Sequence, residues 1–122
     1  MRKRFWFLVC ACLAFFAVAI LALRPVPIPE EKDCLSVTGT VTEVSEGGVK
    51  DVVIRLSGRK EYYYVNRGLE RGLNLKALKE QLTGQEIVMK YPDYWTPLDP
   101  VRSSIHISKI EHRGRTLFTE MD

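Results

Sequence analysis

The chain has 122 residues and a formal net charge of +3. That length allows one domain beside any membrane or targeting segment. Arg2, Lys3, Arg4 and Arg24 account for four of the 18 basic residues, leaving 14 against 15 acidic ones elsewhere. A domain so balanced has no basic excess with which to displace counterions from a nucleic acid.

Phe5 to Leu23 reads FWFLVCACLAFFAVAILAL, with no charge, Gly or Pro. As a helix it is about 28 Å long, the thickness of a bilayer's hydrocarbon core. Three basic residues precede it, so the positive-inside rule predicts a cytoplasmic N-terminus and an exported domain. The expected organisation is residues 1–24 as cytoplasmic tip and transmembrane anchor, 25–33 as Pro-rich linker and 34–122 as the domain. A signal peptide shares the charged start and apolar middle, and Ala17-Val18-Ala19 would serve as its cleavage site. Ile20-Leu21-Ala22-Leu23 stays apolar past that point, which favours an uncleaved anchor. Cys10, Ala14 and Ala17 place small side chains on one face of the helix, which permits close helix packing. Beyond the apolar run Cys34 stands alone, so the domain forms no internal disulfide. It reads as a free thiol near the membrane, with a link between two chains as the alternative.

Pro25, Pro27 and Pro29 alternate, the pattern of a stiff, extended spacer. From Leu35 to Val44 apolar and polar residues alternate, strictly at first, in a Val- and Thr-rich run, a half-buried strand. Gly39 in its middle predicts a bend or bulge. Glu46-Gly47-Gly48 is a turn. Val52, Ile54 and Leu56 define a second strand, Ser57 to Lys60 a second turn, and Glu61 to Val65 a third strand. Asn66 to Leu73 is a loop. Asn74 caps a short helix in which Leu75, Leu78 and Leu82 share one face, and Gly84 stops it. Glu86 to Tyr91 is a fourth strand. Pro92, Pro97 and Pro100 make the next stretch a rigid loop. A fifth strand starts at Ile105 and Ile107. Thr116 to Thr119 is a last strand or an extension of the fifth. The expected core is Val37, Val41, Val52, Ile54, Leu78, Leu82, Ile87, Met89, Ile105 and Ile107.

This order matches a five-stranded OB barrel, which has its helix between strands three and four. Val37-Thr38-Gly39-Thr40-Val41 and Leu78-x-x-x-Leu82-x-Gly84-x-x-Ile87-Val88 resemble the first strand and the helix-to-strand entry of small exported OB domains. From Cys34 to Phe118 the chain resembles bacterial membrane-anchored envelope proteins with a small OB-fold-like domain. The expected class is therefore mainly β: an OB-like barrel with one short helix, preceded by an N-terminal transmembrane helix. The resemblance implies a location at the bacterial inner membrane, with the domain in the periplasm. It implies no activity.

OB barrels bind ligands on the face of strands two and three. Here that face draws on Asp51, Val53, Arg55 and the run Tyr62-Tyr63-Tyr64, whose alternation leaves open which rings face in. Tyr94 and Trp95 on the Pro-flanked loop either stack on a ligand or plug one end of the barrel; Trp95 is expected inward and Tyr94 exposed. Arg67 and Arg71 either clamp an anion or pair with Glu70. Asp99, Ser103, Ser104 and His106 contain the residue types of a hydrolytic triad, but types alone do not make one. His106 is expected to face solvent or the cleft. The two His lie in no metal-ligand spacing, and there is no glycine-rich phosphate loop.

The expected function is binding or interaction without catalysis and without a cofactor or metal. Tyr62, Tyr64, Arg67, Tyr94, Trp95 and His106 are the candidate contact residues. The expected partner is a protein, peptide or glycan of the cell envelope. The alternatives are an accessory subunit of a membrane complex and, behind it, a small hydrolase using His106 with Asp99.

Overall fold

The structure is a computed structural model that describes residues 2–25 and 28–121. The Pro-rich spacer expected at 25–29 lies partly outside them, at Val26 and Pro27. The apolar run forms a single helix, α1 (Arg2–Leu23). Among the described residues none of α1 is buried, and it is long and apolar enough to cross a membrane. A one-turn 3-10 segment, Glu31–Asp33, then leads into the sheet.

Seven strands form one mostly antiparallel sheet: β1 (Leu35–Gly47), β2 (Asp51–Leu56), β3 (Tyr62–Val65), β4 (Glu86–Tyr91), β5 (Ser104–His106), β6 (Lys109–His112) and β7 (Arg115–Thr119). Their order is β5-β3-β2-β1-β4-β6-β7. The strand β1 serves two neighbours. Its first half, Leu35 to Thr40, pairs with β4, and its second half, from Val41 on, pairs with β2. The change of partner comes just after Gly39, where an added Cβ would stand 3.0 Å from Leu56 Cδ1. The bulge lies between Val41 and Glu43, past Gly39, its expected place, where the pairing with Ile87 is regular. It skips Thr42, whose hydroxyl donates to the Arg55 carbonyl (3.2 Å). An extra residue on one strand bends it and raises its twist.

The helix α2 (Leu75–Leu82) lies between the third and fourth strands, as expected. The Asn74 carboxamide oxygen accepts the Ala77 N–H (2.9 Å), which satisfies a free donor of the first turn. Gly84, at φ +82°, ends it in the left-handed conformation. Its N–H donates to Val41 O (2.8 Å), and Val41 N–H donates to Gln85 O (2.9 Å). These two bonds fix α2 beneath the point where β1 changes partner. Leu78 and Leu82 are buried there, and Leu75 is partly so.

Nine of the ten expected core residues are buried; Ile105 packs only against the margin. Val44, Leu56, Tyr63, Val65, Ile110 and Phe118 complete the core. The expected fifth strand is two strands here. Between β5 and β6, Ile107 N–H donates to Tyr64 O (2.9 Å) on β3, and Ser108 N–H donates to Lys90 O (2.8 Å) on β4. Ile107 and Ser108 are both fully buried. Two consecutive inward residues shift the phase of the alternation, so β5 pairs parallel with β3 while β6 pairs antiparallel with β4.

The linker is not a free stalk at its domain end. Glu31 Oε1 accepts Lys109 Nζ (2.6 Å) and Lys90 Nζ (2.8 Å), ammonium groups on β6 and β4. Those two bonds hold its carboxyl down at about 2. Cys34 sits beside them, with its Sγ 3.7 Å from Met121 Sδ, and burial raises its thiol pKa.

Candidate functional site

Register decides which side chains share the outer face of β1, β2, β3 and β5. Residues directly opposite one another in a ladder project to the same side. Glu43 lies opposite Arg55, Arg55 opposite Tyr62, and Tyr62 opposite Ser104. The next outward row is Ser45, Val53, Tyr64 and His106. The row between them runs Val44, Ile54, Tyr63 and Ile105, and its first three members are buried. Tyr63 is therefore the inward ring of the tyrosine run, and Tyr62 and Tyr64 are the outward pair.

The two outward rows, His106 excepted, floor a groove of about 670 Å³, rimmed by the β1–β2 turn at Glu46, Gly47 and Gly48 and by Asp51. That volume is in the range of small-molecule and short-segment sites. The Arg55 guanidinium lies 5.4 Å from the Tyr62 ring centroid, an arrangement in which charge and ring hold each other in place. Tyr64 meets the edge of His106 at 5.6 Å between ring centroids. Burial raises the Tyr64 phenol pKa, and Asp51 adds to the shift, so the ring stays neutral. Three carboxylates, Glu43, Glu46 and Asp51, face one guanidinium, Arg55, around the groove. Asp51 is partly engaged, accepting the Arg67 N–H at 2.8 Å.

At the β5 end of the second row His106 Nε2 is 2.9 and 3.1 Å from the two carboxylate oxygens of Glu120, and Ser108 Oγ donates to Glu120 Oε1 (2.6 Å). Burial pushes the Glu120 carboxyl up, but the hydrogen bonds from His106 and Ser108 outweigh it and leave the pKa lowered. His106 thus points to a buried carboxylate and packs beside Tyr64 from the neighbouring strand. The sequence carries no sign of this cluster, because Glu120 is distant along the chain and has no partner at a regular spacing.

The remaining candidates lie elsewhere. Arg67 has φ +52°, and its guanidinium pairs with Glu70 (3.9 Å). Arg71 points to Glu120 instead (4.0 Å), so the two Arg form no common clamp. Asp99 does not meet His106 in a hydrogen bond. Its two oxygens accept both the backbone N–H and the hydroxyl of Ser103 and Ser104, at 2.7–3.0 Å. The bonds from these serines, Ser103 foremost, hold its carboxyl at about 2. It is the internal brace of the loop from Pro92 to Ser103.

That loop turns toward α1. Tyr94 Oη donates to the Arg24 carbonyl (3.2 Å), the Arg24 guanidinium sits 4.7 Å over the Tyr94 ring, and Arg24 Nη2 donates to Trp95 O (2.6 Å). The Trp95 indole N–H donates to Pro100 O (3.2 Å). The expected arrangement of the two rings is reversed: Trp95 is 42 % exposed, while Tyr94 is half-buried against Arg24. Between this loop and the sheet lies a cavity of about 70 Å³, too small for a sugar ring or a base. Among the described residues no three or more His, Cys, Asp or Glu are grouped closely enough to hold a metal ion. No protein-family model matches the chain, and no curated protein is similar to it in sequence.

Proposed function

We propose that the chain is a single-pass, membrane-anchored binding module whose OB-like barrel holds its partner in the groove over β2 and β3. In this reading α1 crosses the bacterial inner membrane with the N-terminus in the cytoplasm, and the domain works in the periplasm. The bonds from Ile107 to β3 and from Ser108 to β4 support the barrel, because they carry one continuous segment across from the third strand to the fourth. The charge flanking α1 supports the orientation.

The observation that carries the function is the groove itself. Tyr62 and Tyr64 offer outward faces, Arg55 stiffens one of them, and the acidic rim supplies acceptors. Rings with acceptors around them suit a neutral or basic partner: a glycan presenting C–H faces and hydroxyls, or an extended basic peptide of the envelope. Tyr and Arg are also the residue types that dominate binding energy at interfaces.

The test is photo-crosslinking in living cells, with a photoreactive phenylalanine replacing Val53 in the full chain. A discrete adduct is expected, weakened by Tyr62→Ala and missing when the same probe replaces the exposed Thr38 on the other half of β1. Adducts of equal yield at both positions would remove the groove as the site. Protease added to spheroplasts should cleave the domain; complete protection would reverse the topology.

A further inference from the structure

The loop from Pro92 to Arg102 lies outside the groove, and three of its apolar side chains are exposed. Leu98 is 75 % exposed, Val101 is 81 % exposed, and Trp95 joins them through the same turn, its indole bonded back to Pro100. Single exposed apolar residues are ordinary on a protein surface. Three on one internally braced turn, one of them a Trp, call for a cover.

Three contacts say where that turn sits. Arg24 is the first residue past α1, and it is bound by Tyr94 Oη, by the Tyr94 ring and by the carbonyl of Trp95. A helix that spans a bilayer and ends at Leu23 places Arg24 at the level of the lipid headgroups. Trp and Tyr concentrate at that depth, where a ring is half in hydrocarbon and its polar edge half in water. The charges of the loop do not oppose such contact. Asp93 pairs with Arg102 (3.0 Å), and Asp99 is turned inward onto Ser103 and Ser104.

We infer that the turn of Trp95, Leu98 and Val101 is a second membrane contact, set into the headgroup region of the leaflet where α1 emerges. This rests on the reading of α1 as a membrane-spanning anchor. The loop then lays the domain on the bilayer instead of ending a tether, and the groove opens close to the lipid surface.

The chain has two Trp, Trp6 in α1 and Trp95 in the loop, so each is observable alone. The full-length Trp6→Phe and Trp95→Phe chains are reconstituted in phosphatidylcholine vesicles whose lipids carry bromine near the headgroup end or near the methyl end of the acyl chains. Trp95 emission is expected to be quenched more by bromine near the headgroup. That quenching should be lost when Leu98→Glu and Val101→Glu are added to the Trp6→Phe chain. Quenching of Trp6 in its own chain with none of Trp95 overturns the docking and leaves the anchor standing. Quenching of neither overturns the anchor and the docking with it. Trp95 emission that is blue-shifted yet unquenched means that protein covers the turn, and it too overturns the proposal.

Discussion

The chain displays two groups of rings, Tyr62-Tyr63-Tyr64 on β3 and Tyr94-Trp95 on the loop after β4, and they are held by different forces. On β3 the pleat decides: successive side chains go to opposite faces, so one ring enters the core and its two neighbours line the groove. In the loop no period applies. Tyr94 and Trp95 are placed by bonds to Arg24 and Pro100, and by the brace of Asp99 on Ser103 and Ser104. A strand sorts its aromatics by parity, whereas a loop sorts them by whichever polar partners its backbone happens to reach.

The most severe way to break this contrast is inside β3. Tyr63→Ala empties a fully buried site and should cost about 3–5 kcal/mol, while Tyr62→Ala, on the outer face, should cost about 1 kcal/mol or less. Urea denaturation of the two variants measures the difference, and equal costs would mean that parity does not sort these rings. Next in size is the loop's brace. Asp99→Ala removes the acceptor of four hydrogen bonds and should cost about 1–3 kcal/mol. Limited proteolysis should then cut between residues 92 and 103 while crosslinking through the groove persists. Loss of both together would show that the two regions are one unit.

The groups also separate by pH, in opposite directions. The Asp99 carboxyl is lowered from 3.8 to about 2 by its serine bonds. A lowered acid contributes stability above its unfolded pKa and loses it as pH falls, so the loop should loosen between about pH 4 and 2. Burial, and then the bond to Glu61, raises the Tyr63 phenol. A raised phenol contributes stability below its unfolded pKa near 10 and loses it as pH climbs through the folded value. Proteolysis in acid and phenolate absorbance in base measure the two limits; loosening of the loop only in base would refute the role given to Asp99. Within the loop the smallest expected effect is that of Tyr94→Phe. It deletes one bond to the Arg24 carbonyl and should change stability by about 0.5–1.5 kcal/mol, read from the same denaturation curves.

Much of the architecture was legible because it repeats. The alternation in β1, β2 and β4 and the spacing of Leu75, Leu78 and Leu82 identify inward faces without knowledge of any partner. The break between β5 and β6 left a mark that counting could have found. Ile105 and Ile107 are two apart, but the next apolar residue, Ile110, follows after three, which is where the chain passes from β3 to β4. The outward faces of Tyr62 and Tyr64 needed one further fact, the register that sets Ile54 opposite Tyr63. Nothing periodic announces His106 on Glu120 or Tyr94 on Arg24, because both join distant parts of the chain through single polar contacts.

The carboxylate of Glu31 has a mechanical consequence. With Lys90 and Lys109 gripping it on the sheet, and Tyr94 and Trp95 holding Arg24 at the foot of the helix, the connection is clamped at both ends. Torque on the helix then passes to the sheet instead of being dissipated in a swivel. Rotating α1 about its long axis therefore pulls, through these contacts, on the sheet whose outer face floors the groove. A neighbouring helix that selects one flank of α1 thereby also selects the compass direction in which Tyr62 and Tyr64 face.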